Sequence, residues 1–185
     1  MELLEAVNTV LPYLGEHIID SIDTTRHPTV DLIRAAVERA RRELIAEGWW
    51  FNEAHLRIGV NSDGKMDKPQ DTLAIYGLNY NVAVKDTRLF NLDTNSEYFT
   101  EPLTARVVKD IEFNDLPYYA AAAVVYKAAV EVYTADFGSD NTLQILDSKY
   151  AEARRMLVQE NLRNRRWNSE HSIRVRSKAF KWLRR

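Results

Sequence analysis

Three observations predict an α+β fold, an antiparallel helical bundle carrying an antiparallel β insertion and ending in an extended basic C-terminal arm. Helical periodicity of apolar residues is confined to the two ends of the body, and period-2 alternation is confined to its middle third. The charge also reverses after Leu162: residues 1–162 hold 16 Lys and Arg against 26 Asp and Glu, a balance of -10, while residues 163–185 hold 9 against the single Glu170, a balance of +8. Such a break in composition marks a separate functional unit. The organisation is therefore a bundle made in two halves, 1–50 and 114–162, an insertion over 51–113 and an arm over 163–185. Helices, then strands, then helices again exclude an alternating βαβ nucleotide-binding fold.

In the first helix, Leu3, Leu4, Val7, Val10, Leu11 and Leu14 recur on one face and the stretch stops at Gly15. The second starts at Pro28, where a missing N–H costs nothing, and sets Val30, Ile33, Val37, Ala40 and Leu44 against a polar face of Arg34, Glu38, Arg41, Arg42 and Glu43 before Gly48. In the insertion, Leu56, Ile58 and Val60 alternate with Arg57 and Gly59 ahead of the turn residues Asn61-Ser62-Asp63-Gly64, which predicts a strand and a hairpin. Tyr76, Leu78, Tyr80, Val82 and Val84 form a second alternating run, and Val107, Lys109, Ile111 and Phe113 a third. The third helix opens at Asn114-Asp115-Leu116-Pro117, read as a capping carboxylate before a proline, and is apolar nearly all round, as a central helix must be. Across a turn at 138–141 the fourth runs through Leu143, Leu146, Tyr150, Ala153, Leu157 and Asn161, antiparallel to the third.

Composition removes several classes of function. The chain of 185 residues is 45% hydrophobic and 28% charged, with 6 Gly and 5 Pro, which fits a globular protein and not a disordered or collagen-like one. Its lack of cysteine removes disulfides, thiolate catalysis and sulfur-ligated zinc, and suits a reducing compartment. The acidic start of the chain, with Glu2 and Glu5, does not read as a signal or transit peptide, and the most apolar run, 116–130, is broken by Pro117 and Lys127 and is too short for a bilayer about 30 Å thick. No membrane partner is expected.

Catalytic and cofactor patterns are missing too. His17, His27, His55 and His171 lack any spacing that would set two imidazoles on one metal, and the glycines form neither a P-loop nor a dinucleotide fingerprint. The pairs Asp63 with Asp67 and Asp136 with Asp140 fall in turn-like sequence, where aspartate caps and solvates locally. The expectation is a protein without enzymatic activity, catalytic residue, metal or cofactor.

Two stretches stand out instead. Gly48-Trp49-Trp50-Phe51 sets three aromatics where a helix gives way to a strand, and an extended backbone there would send successive rings to opposite faces. Trp49, Trp50 and Phe51 are read either as a hinge buried between two cores or as an inter-subunit contact. In the arm, Arg163, Arg165, Arg166, Arg174 and Arg176 accompany Trp167, Ile173, Val175, Phe180, Trp182 and Leu183. Phosphate binding needs only cations, whereas these apolar side chains gain roughly 1.5–3 kcal/mol each on burial. The arm is therefore read as an anchor for an acidic, partly apolar groove of a partner protein, with nucleic acid or the chain's own body as the other destinations.

The segment Gly48-Trp49-Trp50-Phe51-Asn52, closing a helix and opening a β insertion, resembles the G-W-x-F-N junction of the tail tubular protein A family of short-tailed bacteriophages. Ile111-Glu112-Phe113-Asn114-Asp115-Leu116-Pro117 is similar to that family's strand-to-helix junction, and Ala151-Glu152-Ala153-Arg154-Arg155 to its last long helix. The likeness covers residues 1–162 and implies a head-to-tail adaptor of the virion tail, assembled in the host cytoplasm. Its partners would be further copies in a dodecameric ring, the portal protein, the nozzle (tail tubular protein B), tail fibres and double-stranded DNA in transit. The arm is more basic and more apolar than the family pattern, so its portal-binding role rests on the physical reading above.

Overall fold

A computed structural model describes residues 1–22 and 27–170, the last five of them by backbone alone. The chain is α+β with antiparallel strands and forms two compact units, Met1–Ala40 with the chain from Leu116 onward, and Arg41–Asp115.

The first unit contains α1 (Leu3–Val10), which tightens into a 3-10 turn at Leu11–Leu14 and ends on Gly15 at φ +76°, a left-handed cap that glycine adopts without strain. Helix α2 (Pro28–Ala46) starts in this unit. Helices α3 (Tyr118–Phe137) and α4 (Asn141–Glu170), joined by three residues, pack together as a hairpin. The inner surface of α3 is mainly alanine, Ala120 to Ala123 with Ala128 and Ala129, and it meets α1 and α4. Small side chains let helices approach closely, and Leu146, Ala153 and Leu157 fill the α4 side of the core.

The cap of α3 departs from expectation. Phe113–Asp115 forms a 3-10 turn, and Pro117 occupies the N-cap position without a side-chain cap. Asp140 instead caps α4, accepting the Leu143 N–H at 2.9 Å. Helix α4 also runs to Glu170, so residues 163–170, expected as the start of an extended arm, continue the helix. The sequence 141–170 holds no glycine or proline to stop it. Residues 171–185 lie outside the described residues.

The second unit begins with the end of α2 and contains β1 (Glu53–Ile58), β2 (Thr72–Gly77), β3 (Val82–Lys85), β4 (Arg88–Asn91) and β5 (Leu103–Lys109). One antiparallel sheet has the order β1-β5-β2, and β3 pairs with β4 in another. The hairpin expected at 61–64 is thus corrected: Asn61–Gly64 is a tight turn, with the Gly64 N–H on the Asn61 carbonyl at 3.0 Å, but β1 pairs with the distant β5. The run from Tyr76 to Val84 is likewise two strands and not one. Gly77 explains the break, because a Cβ there would stand 2.1 Å from the Tyr80 carbonyl oxygen. Met66, Leu89, Phe99, Leu103, Ala105 and Val107 form a small core beneath these strands.

Candidate interaction surfaces

The three aromatics after α2 have separate fates. The backbone at Trp49–Asn52 is a turn, with the Asn52 and Glu53 N–H groups donating to the Trp49 carbonyl, so the simple in-and-out alternation of an extended chain does not apply. Gly48, at φ +77°, lets α2 end there. Trp49 is buried and its indole N–H donates to the Leu44 carbonyl at 2.7 Å. Trp50 and Phe51 are half-buried and meet edge to face, their ring centroids 4.9 Å apart.

The turn is held by a residue that periodicity does not reveal. Asn52, 2% exposed, accepts from the Trp49 N–H at 2.7 Å and donates to the carbonyls of Ile45 at 2.8 Å and Lys109 at 3.0 Å. It thereby ties the end of α2 to the end of β5. Arg41, assigned to the polar face of its helix by sequence, is in fact buried, with Nη1 2.5 Å from Asp110 Oδ1 and donating to the Ile111 carbonyl. Helical period cannot show that a partner 69 residues later, just past the end of β5, turns this edge of α2 inward.

Charged side chains in both units are engaged structurally. Lys65 bonds Glu97 at 2.6 Å, and this bond holds the Glu97 carboxyl below the usual range. Asp93 is lowered by the Asn81 backbone N–H and then by its side-chain amide. In the helical unit the Tyr133 hydroxyl donates to Asp140 at 2.6 Å; this bond, ahead of the Leu143 N–H, lowers the carboxyl and raises the tyrosine. Lys149 donates to the Tyr13 hydroxyl at 2.7 Å and lies 5.5 Å from the centres of the Tyr13 and Tyr126 rings. The bond to Tyr13 holds the ammonium above the ordinary lysine range.

The carboxylate pairs considered as acid/base partners do not build a site. Asp63 is exposed in its turn, Asp67 lies in an isolated bridge with Arg88, Asp136 is exposed and Asp140 caps α4. Two surface clefts of about 490 and 380 Å³ on the helical unit are each lined by one carboxylate, Glu152. Among the described residues no group of three or more His, Asp or Glu side chains is placed to hold a metal, and no helix is long and apolar enough to cross a membrane.

Of the residues assigned to the arm, Arg163 and Arg165 are exposed on α4, and Arg166 and Trp167 occupy the following positions of the same helix. Ile173, Arg174, Val175, Arg176, Phe180, Trp182 and Leu183 lie outside the described residues. Sequence reading passed over Val158 and Leu162, which are 40% and 50% exposed on the outer side of α4. Their signal was available: they are large apolar residues one turn apart, set off the stripe of Leu146, Ala153 and Leu157.

Structural bonds and exposed large apolar side chains such as Tyr118, Val158 and Leu162 fit a structural assembly component. Comparison with known proteins gives the particular kind. The family model for tail tubular protein matches residues 4–167, and the chain belongs to that family of structural proteins of the phage tail. It is 33% identical over 171 residues to tail tubular protein A of Klebsiella phage KP34, covering 91% of each chain.

Proposed function

We propose that the chain is the head-to-tail adaptor subunit of a short-tailed phage, assembled in the host cytoplasm as a homo-oligomeric ring of twelve copies between the portal protein and the nozzle, tail tubular protein B. The helical parts form the ring wall, the insertion over 51–113 faces the nozzle and tail fibres, and the arm over 163–185 docks into the portal. Double-stranded DNA passes through the ring, where an excess of carboxylates repels phosphate and prevents sticking. Trp50 and Phe51, half-buried at their turn, keep surface for a neighbouring subunit, while the buried Trp49 anchors the junction.

The observation that carries this reading is the charge split of -10 before residue 163 and +8 after it, combined with apolar anchors in the basic part. A peptide with Phe180, Trp182 and Leu183 among its cations suits a protein groove better than a phosphate backbone. Deleting Lys178–Arg185 should leave the melting transition in place and abolish co-sedimentation with purified portal rings; retained attachment would overturn the reading. Phe180→Ala and Trp182→Ala should weaken that attachment most. A nucleic-acid-binding arm would instead show DNA affinity that falls steeply with salt and ignores these two substitutions.

A further inference from the structure

The two sides of the α3–α4 hairpin differ in a way that suits a repeating contact. α4 has 30 residues and α3 has 20, so in an antiparallel pair the end of α4 extends about 15 Å past its neighbour. No buried side chain is described after Leu157. From there outward Val158 and Leu162 form an exposed apolar ridge, bordered on the same face by Arg155 and Arg165. Isolated helix of this length is marginal in water, so the protruding end gains from a surface to lie on.

A concave surface lies on another side of the same helix. The cleft of 380 Å³ between α3 and α4 is lined by Tyr118, Ala122 and Tyr126 on one wall and by Lys149, Glu152 and Met156 on the other. Tyr118 is 65% exposed. Lys149 is engaged by the Tyr13 hydroxyl, which leaves Glu152 and the Tyr118 ring to receive an arginine. Glu152 and Met156 each precede a ridge residue by six positions, so ridge and cleft face directions about 120° apart around α4. A projecting surface and a receiving surface set apart on one subunit make a head-to-tail contact, and repetition of such a contact closes a ring when the rotation permits.

We propose that the Val158–Leu162 ridge of one copy seats in the Tyr118–Met156 cleft of the next copy, with Arg155 meeting Glu152 and Tyr118 at its rim. This rests on the ring reading above and assigns the surfaces that form the ring. The chain has no cysteine, so engineered thiols report the contact without background. The full-length double variant Leu162→Cys with Glu152→Cys, assembled with portal rings and mildly oxidised, should give a ladder of covalent oligomers on a non-reducing gel. Either single variant alone should give no ladder, and a mixture of the two singles should give one heterodimer band. Val158→Asp with Leu162→Asp should keep the melting transition and weaken self-association roughly thirtyfold or more.

Dimers from Leu162→Cys alone would indicate a symmetric contact and overturn the assignment. So would absence of a ladder, or unchanged association of the double aspartate variant, where native mass measurement finds the unmodified protein in rings. If the unmodified protein forms no higher oligomer with or without portal, the ring reading falls and this assignment falls with it.

Discussion

The interior of the helical unit and the interior of the strand-bearing unit rest on different kinds of contact. In the helical unit α3 buries six alanines with Val124, Val125 and Val132, and the hairpin is specified by how closely these small side chains let helices approach. The strand-bearing unit has a core cluster of six buried residues and also holds Arg41, Asn52, Thr72 and Asn91, the buried polar and charged side chains among the described residues. One unit therefore depends on volume, and the other on polar groups finding partners. A change of volume should damage the first, and removal of a donor or acceptor the second.

The largest effect is expected where volume is lost. Leu146 on α4 is fully buried, and Leu146→Ala should cost about 2–5 kcal/mol, read as a lower urea midpoint with unchanged slope. In the other unit Asn52→Ala removes only a small side chain but takes a donor from the carbonyls of Ile45 and Lys109 and the side-chain acceptor from the Trp49 N–H. It should cost about 2–3 kcal/mol, and Asn52→Leu, which restores volume without donors, should not recover the loss. Recovery by leucine would erase the distinction between the two units.

A sharper form of the comparison uses the pair Arg41 and Asp110, whose burial is unequal at 3% and 38%. Asp110→Ala leaves a buried guanidinium short of its carboxylate and should cost about 1.5–3 kcal/mol. Arg41→Met removes the buried charge, keeps much of its volume and lets Asp110 return to water, so it should cost less. Equal losses in matched denaturation curves would mean that the pair acts by packing alone.

The contrast also explains what the sequence could disclose. Helix periodicity is local, so Val7, Val10, Ile33, Val37, Leu146 and Leu157 were found on their buried faces from spacing alone. The β block was visible from alternation, but its pairing was not, because β1 meets β5 about fifty residues later and no turn signal records that choice. Asn52 and Arg41 escaped for the same reason, since their partners Lys109 and Asp110 lie 57 and 69 positions away. At the candidate surfaces, composition revealed the basic end but not the length of α4. Val158 and Leu162 became conspicuous only when the helix was seen to outlast its packing.

Asp140 gives the smallest expected effect, one whose pH dependence identifies its source. Its carboxyl is lowered by the Tyr133 hydroxyl and then by the Leu143 N–H, both of which favour the ionised form. A carboxyl with a folded pKa below its unfolded value contributes stability above the unfolded value, about 3.9 for aspartate, and loses it as pH falls through the folded value. Asp140→Ala should therefore melt below the unmodified protein at neutral pH, and the difference should shrink steadily on acidification below about pH 4. A difference that stayed constant down the acid limb would assign the residue's contribution to its shape in the turn between α3 and α4. Convergence would assign it to charge at the start of α4, the same helix whose far end carries the proposed ridge.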